Sequence, residues 1–204
     1  MRKIITIGRE LGSGGRTIGK LVAKQLNIPY YDRELIDKAA EKTGLTTNYV
    51  ESNEQTITNS FLYNLAMGTS YAYHILAAND KQNRPLSEQV YIAQQQVITE
   101  YAKKGSCVIV GRCADSILSE HFDVFKVFIY ADMDKRAERC VSQYHMSPDT
   151  VMKEIRQSDK SRCNHYNNFT DKEWGDRHNY DLLLNSSTIG YEKCADIICK
   201  LSEN

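Results

Sequence analysis

The feature that most constrains this chain is an apolar run that enters a glycine-rich turn near its N-terminus. Residues 3–8 form a short, continuous apolar stretch with β-branched side chains, the pattern of a strand buried on both faces of a parallel sheet. Gly12-Ser13-Gly14-Gly15 follows, and Ile18, Leu21, Val22 and Leu26 then recur at helical spacing. Strand, glycine turn and helix, in that order, make a phosphate cradle. Glycines let successive backbone N–H groups turn toward one centre, and the helix N-terminus adds positive potential there. The window Glu10-Leu11-Gly12-Ser13-Gly14-Gly15-Arg16-Thr17 follows G-x-x-x-x-G-K-[ST] with two departures. Glu10 stands where the first glycine belongs, and Arg16 replaces the lysine. Arginine keeps the cation and can grip two phosphate oxygens, with a different shape and reach. Thr17 keeps the hydroxyl expected to ligate Mg²⁺. Gly12, Ser13, Gly14, Gly15, Arg16, Thr17 and Ile18 are thus the expected phosphate-binding residues; a plain strand-to-helix turn is the alternative.

Beyond the turn, short strands are expected over residues 29–32, 106–110, 124–130 and 181–185. Helices are expected over 33–42, 87–104, 112–120, 134–143, 148 to about 162, and 191–201. Gly44 and Gly105 read as C-terminal stops, and Pro148 suits a first helical position after a Ser147 cap. No strand is expected over 46–104, where helix-compatible segments break near Gly68, Asn79-Asp80 and Pro85. Strands alternating with helices predict an α/β architecture, a parallel sheet covered by helices on both faces. The expected organisation is one domain over 1–204, with a core at 1–45 and 105–204 and a helical insertion at about 46–104.

Charge narrows the partners. Lys plus Arg and Asp plus Glu each number 26, a formal net charge of zero. A general nucleic-acid binder needs a cation excess to displace phosphate counterions, so no nucleic-acid partner is expected. A small anionic ligand held by a few local cations stays open. The N-terminal apolar run is too short for a signal peptide or a membrane span, so a cytoplasmic protein without a membrane partner is expected. None of the six cysteines forms C-x-x-C, which favours buried, reduced thiols over a metal site.

An ordered set of segments resembles the cytidylate kinase-like family, a branch of the P-loop nucleoside monophosphate kinases. The set opens with residues 5–18, which include the arginine-bearing loop, and continues with Tyr30-Tyr31-Asp32-Arg33-Glu34-Leu35-Ile36 and Val108-Ile109-Val110-Gly111-Arg112. Val127-Phe128-Ile129-Tyr130-Ala131, Arg136 and Asp159-Lys160-Ser161-Arg162 come next. Trp174-Gly175-Asp176 and residues 180–187 close it. The resemblance implies a P-loop NTPase fold with five parallel strands in the order 2-3-1-4-5. It also implies an acceptor-binding helical insertion and a mobile lid at about 153–178.

What the resemblance implies chemically is transfer of a phosphoryl group from ATP, with Mg²⁺, to a nucleoside monophosphate, CMP or dCMP first. Small nucleotides are then the partners. Arg16 would reach the donor phosphates, and Arg112 would hold the acceptor phosphate. Arg156, Lys160 and Arg162, with Asp159, would close from the lid; if helical, Arg156, Asp159 and Lys160 share a face and Arg162 is less well aligned. Asp32 and Lys38 would sit on the acceptor side, Lys38 in place of an arginine. Residues 185–188 would lie beside the donor base, and Trp174, Tyr63, Tyr71 and Tyr73 either stack on a base or pack. Val110 stands where related kinases carry an acid, leaving Mg²⁺ to Thr17, nucleotide oxygens and water, with Glu10 and Asp32 as carboxylates that could act through water. Two other readings compete: a kinase for another small phosphorylated or hydroxylated metabolite, and a nucleotide-binding module without chemistry.

Overall fold

The computed structural model describes residues 4–44 and 86–203. Tyr63, Tyr71, Tyr73 and the 46–85 part of the expected insertion lie outside the described residues. In chain order the elements are β1 (Ile4–Arg9), α1 (Gly15–Leu26), β2 (Tyr30–Tyr31), α2 (Glu34–Thr43), α3 (Leu86–Lys104), β3 (Cys107–Val110) and α4 (Ala114–Ser119). They continue with β4 (Val124–Tyr130), α5 (Met133–Tyr144), α6 (Val151–Phe169), a 3₁₀ turn at Arg177–Asn179, β5 (Leu182–Asn185), α7 (Ser186–Ile189) and α8 (Tyr191–Ser202). The strands form one sheet in the order β2-β3-β1-β4-β5, with every pairing parallel. That is the implied order.

Alternation along the strands sorts the core into two layers. Ile5, Ile7, Val108, Val110, Val127 and Ile129 face α1 and α8, where Ile18, Val22, Cys194 and Ile198 are buried against them. Ile4, Cys107 and Ile109 point the other way, onto Val97 and Ile98 of α3 and Leu118 of α4. β1 lies at the centre of the sheet, so its first four residues are buried, as the continuous apolar run demanded. Val110, the residue in the acid's place, is fully buried in the first layer.

Two helix starts differ from the sequence expectation. Gly111, Arg112 and Cys113 have φ of 75°, 60° and 55°. Three successive left-handed residues cannot begin a right-handed helix, so α4 starts at Ala114 rather than 112. Pro148 is not at the first helical position. The carbonyl of Ser147 accepts from the N–H groups of Thr150 (3.2 Å) and Val151 (2.9 Å), and this turn delays α6 to Val151. α6 also runs on to Phe169, seven residues past 162, because His165 and Tyr166 continue its buried face. Gly44 does cap α2, with φ 69°.

A small cluster joins α6 to the loop. Ile155, Val151 and Cys140 are buried together, with Leu11, Met133 and Ala137 packed against them. Ile155→Ala is expected to cost about 2–5 kcal/mol, the range for opening a cavity at a fully buried site. Urea unfolding checks this; a loss below about 1 kcal/mol would mean that α6 is anchored elsewhere.

Candidate active site

The glycine turn between β1 and α1 is shaped by contacts from distant elements. Gly14 has φ 82°, and a Cβ there would meet Tyr191 Cε1 at 2.4 Å, so the ring of Tyr191 rests on the loop backbone. The first-turn N–H groups of α1 precede any intrahelical acceptor and are open to a ligand oxygen. On the outer side, the Leu11 N–H donates to Asp159 Oδ1 (2.8 Å), and Arg136 Nε donates to the Leu11 carbonyl (2.7 Å). Ser186 Oγ donates to the Ser13 carbonyl (2.6 Å).

Both motif departures have a structural role. Glu10, in the place of the first glycine, accepts from the Ala131 N–H (3.1 Å) and pairs with Arg136 (3.1 Å). It clips the loop to the end of β4, and burial raises its carboxyl pKa. Arg16 points from the start of α1 toward the end of β2, with Nε 2.7 Å from Asp32 Oδ2. Arg9 stands 3.7 Å from the same carboxylate, and Tyr30 donates to it at 3.3 Å. The Arg9 guanidinium lies so close over Gly111 that a Cβ would sit 1.8 Å from Nη1. With φ 75° at Gly111 as well, a side chain there would be strained and would displace the guanidinium.

A cavity of about 890 Å³ opens beside this loop. Of the residues expected to act, Arg16, Arg112, Lys160 and Arg162 line it. Asp159 is turned to the loop: besides the Leu11 N–H, its carboxylate takes Arg136 and, 3.4 Å away, Arg162. Arg162 thus shares the working side of α6 with Asp159, contrary to the poorer alignment expected, while Arg156 is exposed and not among the lining residues. Lys38 is also apart, paired with Glu41 at 2.7 Å on the surface of α2. Burial and the neighbouring Arg9 pull the Arg162 pKa down to about 9, so it remains a cation at neutral pH, in repulsion with its neighbours.

A second cleft, of about 390 Å³, lies on the other side of the loop between α5 and the β5–α8 connection. Gly12, Arg139, Ser187 and Tyr191 help to line it. Arg139 lies 4.7 Å over the Tyr191 ring and donates to Thr17 Oγ1 at 2.7 Å. A hydroxyl oxygen has a second lone pair, so Thr17 can hold Arg139 and still ligate a metal. The donor set therefore fits a Mg²⁺ held mainly by phosphate oxygens and water, with Thr17 as its protein ligand. Glu10 and Asp32 are both engaged by arginines, which leaves them less suited to a water-bridged role.

Arg9, Arg136, Arg139, Asp115 and His165 escaped sequence reasoning as site residues. Arg9 and Arg136 lay within segments of the resemblance, where proximity to the loop was the available signal. Arg139 and His165 reach their neighbours only through tertiary packing. Removing the Asp159 charge, as in Asp159→Asn, would leave Arg136, with a side chain only 4% exposed, facing Glu10 alone. The expected loss is about 3 kcal/mol in denaturant unfolding, the scale for breaking a buried ion pair. A loss below about 1 kcal/mol would mean that the loop does not depend on this carboxylate.

The model of the cytidylate kinase-like family matches residues 4–188. A cytidylate kinase of Methanosphaera stadtmanae is 23% identical over 206 residues, covering 98% of each chain. The crystal structure of a protein from Eubacterium ventriosum, 26% identical, superposes with a TM-score of 0.72 over 100% of this chain and 99% of its own. The shikimate kinase of Bacteroides thetaiotaomicron, 15% identical, shares the fold with a TM-score of 0.57 over 100% of both chains. With most of its length matched and the sheet order and loop in place, this chain belongs to the cytidylate kinase-like family.

Proposed function

We propose that this protein transfers the terminal phosphoryl group of ATP to a nucleoside monophosphate, CMP and dCMP being the first candidates. The observation that carries the reading is the charge of the larger cavity. Among the described residues lining it, Arg9, Arg16, Arg112, Lys160 and Arg162 supply five cations, against the carboxyl groups of Asp115 and Glu154. Such a surplus beside a phosphate loop suits two phosphorylated substrates meeting end to end. The smaller cleft, with Arg139 stacked on Tyr191 near Ser187, suits the donor's base. Family membership and relatives named cytidylate kinase support the acceptor class.

Phosphoryl transfer asks a protein to align donor and acceptor and to neutralise the moving charge. The loop N–H groups hold the donor phosphates. Arg16 is within reach once it leaves Asp32, a pair whose arginine side chain is 51% exposed and which therefore holds it by roughly 1 kcal/mol or less. Arg112, on its left-handed turn beyond β3, faces the acceptor phosphate. Arg162, a cation disfavoured by burial and by the neighbouring Arg9, gains from an anion placed beside it. Thr17 would hold a Mg²⁺, whose contribution would be to offset the negative charge of the donor phosphates. The segment 153–178, expected as a lid, comprises most of α6 and the turn after it; α6 is tied to the loop through Asp159 and Ile155 and would shield the substrates from water where it stands.

The same reading places the protein in the cytoplasm, where ATP is available. All six cysteines are free, five of them buried, which suits a reducing compartment. Among the described residues no helix is long and apolar enough to cross a membrane.

A coupled ADP-release assay with ATP, Mg²⁺ and CMP, dCMP, UMP or AMP tests the proposal. Release that depends on CMP or dCMP is expected, and Arg162→Ala should lower its kcat about a thousandfold with little change in the KM for ATP. Release with none of the four would contradict the acceptor class. An unchanged kcat in Arg162→Ala would remove this arginine from the transition state.

A further inference from the structure

The larger cavity has an end that the phosphates do not explain. One turn beyond Arg162 on α6, His165 lines the cavity with 8% of its surface exposed, and neither ring nitrogen has a hydrogen-bond partner among the described residues. An orphaned polar pair at such depth is costly and calls for a ligand or water. The ring is firmly held, 5.0 Å from Phe169 and 6.4 Å from Tyr91, which itself stacks on Phe169 at 4.3 Å. Beside it, Tyr166 donates to the buried carboxyl of Asp115 at 2.6 Å. Trp174 and Tyr180 complete this wall, each braced against Phe128. Burial drives the His165 imidazole down to about 3, with the nearby Arg112 adding to the effect, so it is neutral at physiological pH.

The two ends of the cavity differ in chemistry. Toward the loop it offers guanidinium groups. Toward α4 it offers aromatic rings and an uncharged imidazole, with one N–H to give and one nitrogen to accept, beside the Arg112 guanidinium and an Asp115 carboxyl already bonded by Tyr166. The step from Arg162 to His165 is about 5 Å along the helix and keeps both on one side, the order of separation that a single ribose sets between phosphate and base. A polyhydroxylated acceptor would leave the rings without a flat partner, whereas a heterocyclic base meets both the rings and the imidazole edge.

We infer that His165 is a specificity-determining residue, its imidazole hydrogen-bonding the uncharged edge of the acceptor's heterocyclic base between the rings of Trp174, Tyr166 and Tyr180. The inference rests on the nucleoside monophosphate reading above and names the part of the chain that reads the base. It assigns this task to the C-terminal half of α6 and its neighbours in the core, separately from whatever residues 46–85 contribute.

The test compares wild type with His165→Phe, which keeps the ring packing, and His165→Gln, which keeps a donor and an acceptor. CMP, dCMP, UMP, AMP, inorganic phosphate and ATP are titrated calorimetrically, and KM values for CMP and ATP are taken from ADP release. His165→Phe should weaken CMP about tenfold or more in both Kd and KM, the effect of one lost substrate hydrogen bond, with phosphate and ATP changed less than about twofold. His165→Gln should recover part of the loss. Unchanged CMP binding in His165→Phe would overturn the inference and leave the kinase reading intact. So would a parallel loss of CMP, phosphate and ATP, which marks a merely structural residue. His165-dependent CMP binding without turnover would keep the inference and sink the kinase reading. If wild type binds none of the four nucleoside monophosphates, both fall.

Discussion

The carboxylate of Asp159 is the point on which the rest of the site depends. It accepts the Leu11 N–H at 2.8 Å, pairs with the buried Arg136, and stands 3.4 Å from Arg162. One side chain on α6 thereby fixes the entry of the phosphate loop, the first turns of α5 and an arginine of the cavity. Two charges of opposite sign at this depth are stable only when their remaining hydrogen-bonding capacity is met. Arg136 meets that condition by also bonding the Leu11 carbonyl and Glu10. The glutamate that breaks the loop motif is thus part of the lattice that holds the loop, a role a glycine could not fill.

Charge in the cavity is arranged less comfortably. Arg9 and Arg16 share Asp32, Arg162 shares Asp159 with Arg136, and Arg162 has its pKa pulled down to about 9 by burial and by Arg9. Crowded cations at the mouth of a phosphate loop are a form of preorganisation. Their repulsion is already present before a substrate arrives, and an anion relieves it on binding. Arg16 is half-exposed and can swing away from the buried Asp32, while the left-handed turn at Arg112 holds a second cation at the cavity wall.

Much of the fold was readable because local chemistry dictated it. A continuous β-branched run at 3–8 had to be a strand buried on both faces, and Gly44 and Gly105 marked real helix ends. The strand order came from the family likeness, since no local pattern says which strands are neighbours. The misplaced starts of α4 and α6 share a cause: backbone conformation at 111–113 and 147–150 follows from how the turns pack, and propensity does not report it. The site divides the same way. The loop residues and Arg112 announced themselves through motifs, whereas Arg139 and His165 acquire meaning only when α5 and α6 are folded against α8 and α4. Lys38 and Arg156 show the converse, cations that were plausible by position and that the structure directs elsewhere.

In the proposed function, a donor cleft and an acceptor cavity meet across one phosphate loop. Titration calorimetry with an adenosyl–cytidyl pentaphosphate, which carries both nucleosides on a single polyphosphate, addresses this arrangement most directly. One molecule should bind per chain at least about a hundredfold more tightly than ATP, because the second half binds at high effective concentration. An affinity no better than that of ATP would mean that the two clefts do not face each other, and the account would fail.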